Sequence, residues 1–147
     1  MLLDTNILVS FLLMKSDQQG VISQLIQAAV NGSFTLILPE EVVVELKLKI
    51  STKPYLRAHI SDADVVRLIA LLRISGQSLP PLTGSAPSLV RDPKDDYLLA
   101  AAAIADADVL VSGDRDLLDL RENLQRPAIM TAAEFLALIT AGEEPQP

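Results

Sequence analysis

Acidic residues fall where apolar runs begin or end. Asp4 follows Met1-Leu2-Leu3, Asp95 and Asp96 precede a long alanine-rich run, and Asp114 and Asp116 follow Val109-Leu110-Val111-Ser112. Glu45 lies inside an otherwise apolar helix-like stretch, flanked by Val42, Val43, Val44 and Leu46. In an open parallel α/β sheet the pocket lies beyond the carboxyl ends of the strands, so acids placed there converge. Like charges about 4 Å apart repel by roughly 4 kcal/mol near a protein surface. A hard divalent cation is the usual offset. The pattern therefore points to a metal-dependent acidic site.

That chemistry has a natural use. Phosphodiester hydrolysis without a covalent nucleophile needs an activated water and charge cover for the transition state. Two hard ions about 3.5–4 Å apart supply both. Carboxylate oxygens suit Mg²⁺, which keeps several of its waters. With one histidine, His59, and no cysteine, a serine-, cysteine- or zinc-type site is disfavoured. An aspartyl phosphatase wants a second carboxylate two residues after the first, where this chain has Asn6. A phospho-acceptor domain wants a lysine on its last strand, and residues 124–131 contain none.

Each acid also has a plainer reading. Asp4 can brace a turn. Glu45 can lie on a solvent face with Glu41 and Lys49 at i±4. Asp96 can complement a helix dipole. Asp92 and Asp95 suit capping. Asp114 and Asp116 compete for one ligand place, with Asp114 favoured and Asp116 a second or water-mediated contact. Thr5, Asn6 and Ser112 can donate to carboxylates or phosphate, or serve only as turn residues.

The elements that must position these groups follow from periodicity and turn chemistry. Residues 1–4 read as a short buried strand, and 7–13 extend it or open a helix. A helix over 20–31 stops at Asn31-Gly32. Residues 34–38 read as a second strand. Pro39 opens a helix running from Glu40 to about Ile50. Ser61 to Asp64 forms a capping box for a helix to about Ile74. The Gly/Ser/Pro-rich stretch 75–90 can hide a third strand near Leu79 and Leu82. Asp92-Pro93 starts a helix to about Ala105. Strands follow at 109–111 and 128–130. Thr131 to Glu134 caps a last helix to about Ala141, and 142–147 is expected to be a disordered tail. Strands alternating with helices imply a parallel sheet covered on both faces. The helices 20–31 and 61–74 can form a dimer face or belong to the core.

The 147 residues suit one domain, here 1–141. Half of them are hydrophobic and only 3% aromatic, so the core must be aliphatic. No apolar run approaches a membrane span and no basic leader precedes one, which makes a cytoplasmic protein the expectation. A net charge of −7 argues against polyanion binding by the whole surface. Local cations remain: Lys47, Lys49, Lys53 and Arg57 form one cluster, read mainly as a solvated helix face, and Arg91, Lys94 and Arg115 flank the acidic loops.

Four segments together resemble one family. Met1-Leu2-Leu3-Asp4-Thr5-Asn6-Ile7-Leu8-Val9, Pro39 to Leu46 with Glu45, Arg91 to Ala102 with Asp96, and Val109 to Leu118 with Asp114 look like the four motifs of the PIN-domain (PilT N-terminus) nucleases, in order. The likeness is nearest to the PIN-family toxins of bacterial toxin–antitoxin pairs. It implies a three-layer α/β/α sandwich with a central parallel, Rossmann-like sheet. It further implies an endoribonuclease whose Asp4, Glu45, Asp96 and Asp114, with Asp116, gather one or two Mg²⁺ or Mn²⁺ ions. RNA as substrate, a cognate antitoxin and a homodimer are the implied partners, with no membrane. A PIN-like scaffold that binds a partner without cleaving is the alternative. Two features depart from the family's usual pattern: only three residues precede Asp4, and Ser112 stands where relatives often have threonine. Asp4→Asn, Glu45→Gln and Asp96→Asn are each expected to remove activity, keep the fold and relieve repulsion in the metal-free protein.

Overall fold

A computed structural model describes residues 1–14, 20–80 and 93–142, the side chains of 93–96 and 142 excepted. The chain runs β1 (Leu2–Leu3), α1 (Thr5–Leu13), α2 (Val21–Val30), β2 (Ile37–Pro39), α3 (Glu40–Thr52), α4 (Pro54–His59), α5 (Asp62–Ser75), β3 (Gln77–Leu79), α6 (Pro93–Ile104), β4 (Val109–Val111), α7 (Arg115–Leu118), β5 (Ala128–Met130) and α8 (Ala132–Gly142). The five strands pair in the order β3-β2-β1-β4-β5, all parallel. This is the α/β, three-layer, Rossmann-like architecture expected from the sequence.

The chain lays β2 and β3 successively on one side of β1, then returns to lay β4 and β5 on the other. Helices α1, α2, α3 and α5 of the first half pack on one another, and α8, after β5, returns to pack on α2. The strand order reverses between β1 and β4, and the crevice beyond their carboxyl ends is the topological switch point. Leu2, Leu110 and Val111 are fully buried there, within an aliphatic cluster that includes Leu25, Val42, Leu46 and Leu72.

Several boundaries differ from the sequence reading. Residues 7–13, left open between strand and helix, belong to a helix that begins at Thr5. The second strand begins at Ile37, not residue 34, because its neighbour β1 is short and pairs Leu2 with Ile37. Upstream of the ladder, the Met1 ammonium donates to the Thr35 carbonyl at 2.9 Å. Pro39 ends β2 and takes the N-cap place, with ψ 143°, rather than the first helical position. The third strand lies at Gln77–Leu79; Leu82 falls outside the described residues, as does Asp92. The last helix includes Gly142, and the expected tail 143–147 lies outside the description. Helices α4 and α7 were not anticipated.

The two capping boxes and the Asn31-Gly32 stop are present as expected. Asp64 N–H donates to Ser61 Oγ at 3.1 Å and Ser61 N–H to Asp64 Oδ2 at 3.2 Å. Thr131 and Glu134 make the same reciprocal pair at 3.0 and 3.2 Å. Gly32, at φ 81°, closes α2: its N–H donates to Ala29 O and that of Ser33 to Ala28 O, the two bonds of a Schellman motif. Helices α2 and α5 pack on each other through buried faces that include Leu25, Ile26, Leu68 and Leu72, so these faces are core.

Candidate metal centre

Asp4 sits at the carboxyl end of β1 because its N–H still continues the sheet, donating to Val111 O at 3.0 Å, while its backbone caps α1. The side chain is thereby held at the switch point, 5% exposed. Ser112, wholly buried one residue past β4, donates from Oγ to Asp4 Oδ2 at 2.8 Å and accepts from Asp114 N–H at 2.9 Å. One hydroxyl thus joins the ends of β1 and β4. Burial pushes the Asp4 carboxyl above its ordinary range, against the Ser112 hydrogen bond and the Lys49 charge, and the nearby Glu45 charge adds to the rise.

Glu45 approaches from the middle of α3, half-buried. Its Oε2 accepts from Tyr97 OH at 2.6 Å and from the buried Thr5 Oγ1 at 3.0 Å. Its Oε1 faces Lys49 Nζ at 3.1 Å. The same ammonium donates to Asn6 Oδ1 at 2.8 Å. Burial alone would raise the Glu45 carboxyl; Tyr97, Lys49 and Thr5 outweigh it and hold the group below its ordinary range. Burial and the Glu45 charge push the Tyr97 phenol up, so it stays a donor.

Asp114 caps the short α7, its Oδ1 accepting from Asp116 N–H at 2.9 Å. It is half-buried and tied to Asp4 through Ser112, whereas Asp116 is exposed. Asp96 lies in the first turn of α6, and its side chain is outside the described residues. Its neighbour Tyr97 reaches Glu45, which fixes the start of α6 beside the site. Among the described residues, no three of Asp, Glu, His and Cys gather closely enough to hold a metal ion. His59 sits on α4, its Nδ1 2.8 Å from Tyr55 O and its ring against Tyr55, apart from these groups.

The donors suit a hard cation. They are oxygens only, and the buried Asp4 carboxylate carries a charge that both burial and Glu45 disfavour, so a cation there would offset both. One contributor, Tyr97, was not singled out from sequence, and the i+4 pairing of Lys49 with Glu45 was read only as a solvent-face alternative. Tyr97 is the only polar side chain in Tyr97-Leu98-Leu99-Ala100-Ala101-Ala102, a signal that was legible. Lys49 was read mainly as solvated, yet it is drawn into the site. The Asn6 side chain takes part as an acceptor from Lys49, while its backbone N–H donates to the Asp4 carboxylate.

An acid-bearing crevice at the switch point of a parallel sheet defines the class: an α/β protein of Rossmann-like topology with carboxylates at its strand ends. The PIN domain family model matches residues 1–116, and the chain belongs to that family. PIN domains are generally nucleases that use divalent metals such as Mg²⁺. No curated protein matches the chain. No helix among the described residues is long and apolar enough to cross a membrane.

Proposed function

We propose that the protein is a metal-dependent endoribonuclease, and that Asp4, Glu45, Asp96 and Asp114 hold one or two Mg²⁺ or Mn²⁺ ions, with Asp116 at the rim. The observation that carries the reading is the buried Asp4 carboxylate at the switch point, within the field of Glu45. When bound, the cation would supply an activated water and charge cover for the phosphodiester. The chain's own groups do the rest. Ser112 fixes the Asp4 rotamer and Thr5 and Tyr97 fix Glu45, so the carboxylates are oriented before metal or substrate arrives.

Attack by water with the 3′-oxygen leaving produces 5′-phosphate and 3′-hydroxyl ends. End-mapping of a cleaved single-stranded RNA pool is the test. Those ends, formed only with Mg²⁺ or Mn²⁺, support the proposal. Cyclic 2′,3′-phosphate ends would mean that the RNA 2′-hydroxyl was the nucleophile and would overturn it.

The motif likeness supports a toxin role with a cognate antitoxin and a homodimer. An open groove of about 580 Å³ between α1, α2 and α5, with Phe11, Ile26, Val30 and Leu71 on its walls, gives a protein partner room. Induced expression should arrest growth with the wild type and not with Asp4→Asn. Equal arrest by both would remove the toxin reading.

A further inference from the structure

Glu41, Glu45 and Lys49 recur every fourth residue and so form one stripe along α3, with Lys53 at its C-cap. All four line one open pocket of about 420 Å³ together with Tyr97. Two acids and then two cations thus line one wall of this pocket, and Glu45 and Lys49 are also close enough to act on the Asp4 charge. The stripe is not merely solvated. The side chains of Glu45 and Lys49 are only 16% and 17% exposed, and Lys49 is held from two elements, by Glu45 of α3 and Asn6 of α1.

Both oxygens of Glu45 are engaged. Oε2 is taken by Thr5 and Tyr97, neutral donors whose hydrogen bonds orient the carboxylate. Oε1 is taken by an ammonium. A divalent cation and an ammonium at bonding distance from one carboxylate oxygen repel each other strongly in a half-buried site. They therefore compete for Oε1.

The geometry points to Lys49 as a tethered counter-ion that occupies the Glu45 face of the metal-free site and competes with the divalent cation for it. A cation held by Glu45 would then displace the Lys49 ammonium from Oε1. The flexible four-carbon stem permits that release without moving the helix. The freed ammonium would add to Lys53, at the C-cap of α3, as a second positive charge on the lining of the open pocket. Lys49 in this account lowers the affinity for metal and keeps the metal-free carboxylates from repelling; it is a positioning residue. The inference rests on the reading of Asp4 and Glu45 as metal ligands.

Mn²⁺ titration calorimetry on the full chain tests it, with wild type, Lys49→Met, Lys49→Arg and the exposed neighbour Lys47→Met. Lys49→Met should bind Mn²⁺ about tenfold more tightly, and its metal-free melting temperature should fall because Glu45 loses its counter-ion. Lys49→Arg keeps the charge and should stay within about twofold of wild type. Lys47→Met should match wild type, which separates displacement at Glu45 from a general change in net charge. Unchanged or weaker binding in a folded Lys49→Met would overturn the inference and leave the metal-centre reading standing. Equal tightening by Lys47→Met would overturn it too. Binding by neither wild type nor Lys49→Met would overturn the metal-centre reading itself, and the inference with it.

Discussion

At the scale of residues, Asp4 and Glu45 are two carboxylates that their surroundings shift in opposite directions. The folded protein raises the Asp4 carboxyl and lowers that of Glu45. A raised acid withdraws stability as pH climbs through its folded value, and a lowered acid withdraws it as pH falls through its own. Asp4→Asn should therefore raise the metal-free melting temperature near neutrality. The gain should shrink as pH falls and Asp4 becomes protonated in the wild type. Glu45→Gln should act the other way, lowering the melting temperature at neutral pH because Lys49 and the Tyr97 and Thr5 donors lose a charged acceptor. The sequence treated both acids alike, as relieved by neutralisation; the engagement of Glu45 by three donors separates them. Melting curves of both variants from pH 4 to pH 8 check the signs. A rise in both variants at neutral pH would contradict this account of Glu45. The acids themselves were legible because each interrupts or bounds an apolar run. The role of Lys49 was not, since its Asn6 partner lies 43 residues away and only the fold joins them.

At the scale of elements, caps and close approaches set the boundaries that aim the site. Gly32 adopts a left-handed conformation, so Gly32→Ala should destabilise by about 1 kcal/mol through backbone strain alone, there being nothing within 4 Å of an added methyl. Gly76 differs. A methyl there would lie 2.6 Å from the Leu36 carbonyl oxygen and 3.0 Å from that of Leu72, both backbone. Gly76→Ala should cost about 1–3 kcal/mol by forcing α5 and β3 away from the residue before β2. Urea denaturation of the two variants tests the ranking; a harmless Gly76→Ala would contradict the packing. Capping boxes and the Asn31-Gly32 stop were readable because they are local hydrogen-bond chemistry. The helix Arg115–Leu118 has four residues and Pro54–His59 six, too few for a 3.6-residue periodicity to register. Gln77-Ser78-Leu79 is an edge strand with two exposed polar residues, so it lacked the apolar run that marked the interior strands.

At the scale of the molecule, the strand order is what makes separated acids into a site. Alternating apolar strands and helices announced a parallel sheet, and the four motifs announced the family. Neither fixes the reversal between β1 and β4, which depends on which strands pair across more than a hundred residues. That reversal is clamped by Ser112, whose hydroxyl bridges positions 4 and 114 and whose N–H continues the ladder to Met130 O at 3.0 Å. Ser112→Ala would leave the Asp4 carboxylate without its buried donor and should destabilise by about 1–3 kcal/mol. Ser112→Thr, which keeps the hydroxyl, should restore most of that loss. Failure of threonine to do better than alanine would mean that the hydroxyl is not the clamp.

The most direct measurement is cleavage of a mixed RNA pool by the purified chain, with Mn²⁺ or Mg²⁺ and with EDTA, beside Asp4→Asn and Asp96→Asn. The account predicts cleavage that appears with metal, vanishes in EDTA and is lost in both folded variants. Cleavage that persists in EDTA, or that Asp4→Asn performs at the wild-type rate, would contradict a nuclease built on the acids at the β1–β4 switch point.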